Sequence, residues 1–453
     1  MCLQWLESTG YRFKRYNYMR KVLIISYYFP PINMLASKRY GTMCKYLEEN
    51  GYKPYVLTTR HYEDRENGIR LEQEIPIDKE QIIQIGNVRS NAEIRNPVWE
   101  MVLTLLMNHR YCPRTIETGG IGWYERVKAE GNLEKLRDMD VIIGTFPPMS
   151  NLFIAWYLSR KLKIPFIAEI RDLISDYSET PAGYKRIFWL DRLIERYILQ
   201  KAAAFVTVTP GYKKVLGARY PRKRIEVVYN GWDGDRAEKK DVQEIQTEKY
   251  LYYAGTLYPH RLESFELLVR CLKKMNADRS EKIKFILRSA GPVDLTAKAR
   301  YIVRQEEMME YVQVLTAVSE DIVREEQDKA YINIVLSSLH SEDRALMTTV
   351  PGKVYELLKE RAPVLAVVPD HSDVAKVINY TKKGIASVNE KEIIDFILNE
   401  SEYYTGGQKI EFFSRKRQSK KLCRFIDRLL VESYGDGRLS ERIVKRLSGR
   451  YHK

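Results

Sequence analysis

The sequence predicts an α/β protein of two Rossmann-like, doubly wound domains facing a cleft, and three observations predict it. The chain has 453 residues, more than a single hydrophobic core usually spans. Short runs of β-branched and aromatic residues alternate with stretches of helical periodicity along most of its length, the pattern of parallel sheets covered by helices. One stretch, 232–249 (WDGDRAEKKDVQEIQTEK), is charged and almost free of large apolar residues, and divides the alternation in two.

In order, 21–29 (KVLIISYYF) is an apolar run without polar interruption after Lys21, as in a strand buried on both faces. After Pro30 and Pro31, 37–51 (SKRYGTMCKYLEENG) carries apolar and aromatic residues at helical spacing and stops at Gly51. The next strand is 53–60 (KPYVLTTR), completing a βαβ unit. Strands at 141–146 and 164–172 flank a helix at 151–163, and further strands read at 203–210 and 225–231. Past the charged stretch, strands are expected at 250–257, 282–291, 312–318, 331–338 and 363–370, and a helical region over 391–431. The boundaries drawn from this are an extension over 1–20, a first domain over 21–235, a second over 250–400, and a C-terminal helical segment with a basic tail over 401–453. Met19 directly precedes the first strand, which makes an upstream extension without structural role one reading of the first 18 residues. Residues 98–110 (VWEMVLTLLMNHR) read either as a core helix or as a membrane-surface helix.

Composition narrows the function. The five cysteines stand far apart, with no Cys or Cys/His cluster, so neither a zinc site nor a disulfide framework is expected and a cytoplasmic setting fits. No apolar run reaches the roughly 20 residues of a membrane span. The net charge of +15 favours contact with phosphates, and the absence of nucleic-acid-binding signatures points away from DNA and RNA.

Several loop segments carry more. SYYFPP (26–31) leads to Ser37, Lys38 and Arg39 at the head of a helix. GTFPPMSN (144–151) and IPFIAEIRDLISDY (164–177) place loops at the carboxyl ends of buried strands, where open α/β sheets bind ligands. VTVTPGYKKVLGARY (206–220) and IEVVYNGWD (225–233) close the first domain, with Asn230 and Gly231 explained by a turn alone. In the second, YYAGTLYPHRLESFELLVRCL (252–272) follows a strand with Gly255, Thr256 and Arg261, and VPGKVYELLKERAPVLAVVPDHSDVAKVI (350–378) carries Lys353 and Glu356 on a helix before a buried strand. Together these segments resemble, over about residues 20–400, the retaining family-4 type glycosyltransferases of the GT-B fold, especially those that build cell-surface polysaccharides.

The resemblance implies a nucleotide-sugar co-substrate and no metal. It implies that Ser37 and Arg39 lie on the acceptor side, that Arg171 and Asp172 are catalytic and orient the acceptor, and that Gly255, Thr256, Arg261, Lys353 and Glu356 bind the donor. The physical demand is the charge that builds on a departing nucleoside diphosphate, which a fixed guanidinium can neutralise. Glu356 matches the second glutamate of the family's E-x7-E motif and would accept hydrogen bonds from the ribose hydroxyls. Two departures stand out: Thr348 occupies the place of the first glutamate, and the loop INMLAS (32–37) lacks the glycines many members carry. His260 reads as an exposed loop histidine or as an aid to Arg261, and nucleobase choice is expected near Leu315–Ser319. The implied acceptor is lipid-linked or a saccharide, met at the inner face of the cell membrane, where an anionic surface would attract the basic chain. Two other readings share the architecture: a nucleotide-sugar epimerase, for which no convincing set of additional carboxylates and a histidine is visible, and a degenerate, non-catalytic sugar-binding or partner subunit.

Overall fold

The computed structural model describes residues 19–32, 35–60, 75–87, 101, 120–130, 133–176, 187–234, 249–277, 279–404 and 406–448, with the backbone alone after 433. The readings for residues 1–18 and, save Met101, 98–110 lie outside the described residues.

The first domain contains β1 (Arg20–Ile25), α1 (Leu35–Glu49), β2 (Tyr52–Arg60), β3 (Ile82–Asn87), α2 (Gly120–Glu130), β4 (Val141–Phe146), α3 (Ser150–Leu162), β5 (Phe166–Ile170), α4 (Phe188–Leu199), β6 (Ala204–Thr207), α5 (Pro210–Arg219) and β7 (Ile225–Val227). The second contains β8 (Tyr250–Gly255), α6 (Leu262–Ala277), β9 (Lys284–Ser289), α7 (Val293–Gln305), β10 (Val312–Thr316), α8 (Glu320–Lys329), β11 (Ile332–Leu336), α9 (Arg344–Thr348), α10 (Gly352–Lys359), β12 (Val364–Val367), α11 (Asp373–Thr381), β13 (Gly384–Ala386), α12 (Glu390–Leu398) and a one-turn α13 (Glu400–Tyr403). The final helix, α14 (Arg415–Ser448), follows.

Both sheets are parallel. The first runs β3-β2-β1-β4-β5-β6-β7 and the second β10-β9-β8-β11-β12-β13, so strand order reverses between β1 and β4 and between β8 and β11. Ligand crevices of such sheets open beyond the carboxyl ends of the strands at these reversals. The uninterrupted burial of β4, β5, β6, β11 and β12 explains their continuous apolar sequences, since helices cover both faces. Strand β3 was not anticipated: as an edge strand it is only partly buried, and IIQIGN carries a weaker apolar signal.

The C-terminal segment is helical, and α14 returns to the first domain, where Leu422, Phe425, Ile426 and Leu430 share a core with Tyr40, Met43 and Leu47 of α1. The two chain crossings run side by side. Trp232 bridges to Ser414, its N–H bonds to the Phe413 carbonyl (3.2 Å), and Arg415 N–H returns to the Trp232 carbonyl (2.8 Å). Aromatic rings fill the junction, with Tyr229 edge-on to Phe413 at 4.9 Å.

Candidate functional site

The domains meet across the loops at their strand ends. Thr209 Oγ1 donates to the Thr348 carbonyl (2.8 Å), Gly211 N–H donates to the Asp373 carboxylate (2.7 Å), and the Tyr212 and Thr349 hydroxyls share a hydrogen bond (2.7 Å). Lys38 reaches Glu320 (2.8 Å), beside the loop after β10 that contains residues 317–319. Leu35, at the head of α1, lies over Gly352 at the start of α10, the helix that bears Lys353 and Glu356.

Thr348 is part of this contact. Its hydroxyl donates back to the Arg344 carbonyl (2.7 Å), and its methyl lies so close to Gly211 that a Cβ there would come within 2.2 Å. A glutamate side chain would have to leave this packing, so the departure at 348 goes with close apposition of the domains.

On the second domain, β8 ends at Gly255 with φ of +151°, a conformation that L side chains rarely adopt. A Cβ there would meet Lys353 Nζ at 3.3 Å. That ammonium lies over the Tyr253 ring, 3.4 Å from its centroid, and is buried without a hydrogen-bond partner. Burial, and then the neighbouring Arg261 charge, hold the Lys353 pKa well below the ordinary lysine value. Arg261 is also buried. Its Nη1 donates to the Thr256 carbonyl (2.6 Å) and the Tyr253 hydroxyl (3.2 Å), while its Nε is buried without a partner. Two cations with unsatisfied donors therefore flank one glycine turn. Such an arrangement costs free energy in the empty protein and suits an anion with several acceptor oxygens. His260 stacks on Tyr258 at 5.6 Å, and Arg261 lies against the same Tyr258 ring, 4.8 Å from its centroid.

Glu356 sits one turn after Lys353 and is 39% exposed. Its carboxylate takes Arg415 Nη2 (3.1 Å) and Lys359 Nζ (3.5 Å). Arg415 also donates to the Asn230 carbonyl (3.3 Å) and Thr42 Oγ1 (3.1 Å), tying α10 to the chain crossing and to α1.

On the first domain, Arg171 and Asp172 follow β5 directly, at the carboxyl end of the strand. Arg171 is half-buried; Nε donates to Thr145 Oγ1 (2.8 Å) and Nη2 to the Pro147 carbonyl (3.3 Å). Burial lowers its pKa, with the nearby Glu169 and Asp172 charges opposing. Ser37, expected on the acceptor side, is instead fully buried in α1 and is closed to an acceptor molecule.

Arg39 requires a correction. It is 1% exposed, and its five N–H groups go to Glu169 Oε1 (twice, 3.1 and 2.8 Å), the Tyr229 carbonyl (3.0 Å), Asn230 Oδ1 (3.2 Å) and the Val228 carbonyl (3.1 Å). It braces α1 against β5 and the segment after β7, and has no donor left for an acceptor molecule. Glu169, hidden in an apolar strand, also accepts from Tyr40 (3.0 Å). Burial opposes both charges, yet their mutual attraction prevails, leaving the Arg39 pKa above and the Glu169 pKa below its ordinary value. Sequence reasoning also missed Tyr253, whose ring supports Lys353, and Arg415. A charged residue inside an otherwise apolar strand was the available signal for Glu169.

Among the described residues, no group of three or more His, Cys, Asp or Glu side chains is placed to hold a metal, and no helix is long and apolar enough to cross a membrane.

Residues 37–231 match the Glycosyl transferase 4-like domain. No curated protein is matched by sequence. Among solved structures, the chain is similar to sucrose-phosphate synthase from Thermosynechococcus elongatus, with a TM-score of 0.54 and 11% identity over 94% of this chain and 100% of that one. It is similar to HepE from Anabaena, solved in complex with UDP and glucose, with a TM-score of 0.57 and 11% identity over 90% and 99% of the two chains. A glycosyltransferase from Rickettsia africae gives a TM-score of 0.54 and 13% identity over 91% and 98%. At these identities the likeness is one of fold: two Rossmann-like domains facing a cleft, the GT-B arrangement.

Proposed function

We propose that the chain is a glycosyltransferase that moves a sugar from a nucleotide-sugar donor to a lipid-linked or saccharide acceptor, with retention, in cell-surface polysaccharide biosynthesis. The observation that carries this reading is the pair of buried, under-satisfied cations, Lys353 and Arg261, at the Gly255 turn. The match of 37–231 to the Glycosyl transferase 4-like domain supports the reaction class.

Arg261 and Lys353 hold the diphosphate, and their charge meets the negative charge that develops as the glycosidic bond breaks, without a metal. The backbone around Gly255 and Thr256 approaches the phosphates closely because no side chain intervenes at 255. Glu356, fixed by Arg415, accepts from the ribose hydroxyls with its remaining lone pairs. Arg171 and Asp172 orient the acceptor hydroxyl, which attacks the sugar on the face the diphosphate leaves as its proton passes to the departing phosphate oxygen. The enzyme works in the cytoplasm, at the inner face of the cell membrane, to which its +15 charge attracts it.

A thermal-shift screen against UDP, GDP, CDP and dTDP tests the reading, because a ligand that binds only the native state raises Tm. UDP is the first candidate, since HepE was solved with it. One nucleotide is expected to raise Tm, and Arg261→Ala to abolish the rise; no shift with any nucleotide would favour the non-catalytic reading.

Binding should also depend on pH. Burial and the Arg261 charge hold the Lys353 pKa well below the ordinary lysine value, and a bound diphosphate favours its charged form. Between the two values, binding takes up a proton, so affinity falls as pH rises. Calorimetric titrations at about pH 7 and about pH 9, in buffers of differing ionisation enthalpy, should show proton uptake and weaker binding at the higher pH. Affinity independent of pH would remove Lys353 from the phosphate site.

A further inference from the structure

We infer that the outer face of α2, α3 and α4 is a docking surface for an anionic lipid membrane. This deepens the membrane placement proposed above by assigning it to particular residues, and it rests on a separate set of observations.

The three helices cover the same face of the first sheet and share its core. On their outer side an aromatic residue is followed four positions later by a basic one, and the cation lies by the ring. The pairs are Tyr124 with Lys128 (5.3 Å), Trp156 with Arg160 (5.7 Å), Tyr157 with Lys161 (5.9 Å), and Tyr197 with Lys201 (5.5 Å). All four basic residues are exposed. The rings also meet one another across the helices: Tyr124 with Tyr157 at 6.2 Å, and Trp156 with Tyr197 at 5.5 Å.

Helix α4 adds the apolar component. Trp189 is 71% exposed, Leu193 58%, Phe188 50% and Tyr197 48%, values that leave large apolar groups in water on one helix face. Its charges are sorted by sign. Both acids, Asp191 and Glu195, are buried, with Glu195 paired to Arg219 (3.2 Å). Both arginines, Arg192 and Arg196, are exposed, although Arg192 keeps a contact to Ser175 Oγ (3.4 Å). Exposed aromatics for the headgroup boundary, an aliphatic side chain for the acyl region and a cationic border are what an anionic bilayer surface selects.

The same features disfavour other occupants. A second copy of the chain would bring this cationic face against its own like charges. A nucleic acid would match the cations but offers no partner for Trp189 and Leu193 together.

The test is flotation of the full-length protein with vesicles of phosphatidylglycerol and phosphatidylcholine, against phosphatidylcholine alone, at low salt. The wild type is expected to float with the anionic vesicles only. Trp189→Ser/Leu193→Ser should reduce partitioning on the order of tenfold, and Arg160→Gln/Arg196→Gln should remove the preference for anionic lipid. These substitutions are at the surface, and an unchanged nucleotide-induced thermal shift shows that fold and donor site persist. Failure of the wild type to float, or unaltered flotation of both variants, overturns the assignment. So does concentration-dependent self-association, seen by light scattering, that the Trp189→Ser/Leu193→Ser variant loses while still floating. Because flotation and the nucleotide shift are read separately, either proposal can fail without the other.

Discussion

Lys353→Met is expected to reduce turnover by about a hundredfold or more while leaving the protein as stable as before, or slightly more so. The first effect follows from removing a fixed cation aimed at developing charge, a loss of about 10²–10³ in rate where comparable donors have been deleted. The second follows from what the ammonium does in the empty protein: it is buried against the Tyr253 ring, lacks a hydrogen-bond partner and faces Arg261. A thioether of similar length fills the space without that electrostatic cost. Steady-state transfer assays and thermal melts on the same preparation check both halves. Loss of activity together with a large drop in Tm would instead make Lys353 a structural residue.

The second large effect belongs to the fold. Arg39→Met should destabilise the first domain by about 3–5 kcal/mol, because it strands the Glu169 carboxylate in the interior. The pair joins α1 to β5, and through the Val228 and Tyr229 carbonyls to the segment entering the domain crossing. Arg39→Met/Glu169→Leu, which removes both charges, should recover much of the loss. Denaturant unfolding of the two single variants and the double gives the coupling between the groups. Equal destabilisation by the single and double variants would show that packing, and not the unpaired charge, is what Arg39 supplies.

These two residues show what the sequence disclosed and what it hid. The parallel alternation was legible because it is local: KVLIISYYF and VIIGTF are apolar throughout, as strands covered on both faces must be. Lys353 and Arg261 are marked as donor-binding residues by the family resemblance of the segments around them, not by periodicity or spacing. Their burial and their shared neighbour Tyr253, ring to one and hydroxyl to the other, could not be seen, since YLYYAG reads simply as a strand. Arg39 entered as an acceptor-side residue at the head of a helix, and nothing nearby in sequence signals a partner 130 positions on. The return of α14 was hidden for the same reason: Tyr52 and Asp427 bond across 375 positions. Long-range pairing leaves no periodic trace.

The adjacent crossings at Trp232 and Ser414 have a mechanical consequence. A domain attached by one strand can swivel about that strand, but one attached by two neighbouring strands hydrogen-bonded to each other resists torsion and yields most readily by bending. A twist of the second domain about its tethers would therefore strain both backbone hydrogen bonds that join Trp232 to Phe413 and Arg415, whereas a bend can leave them in place.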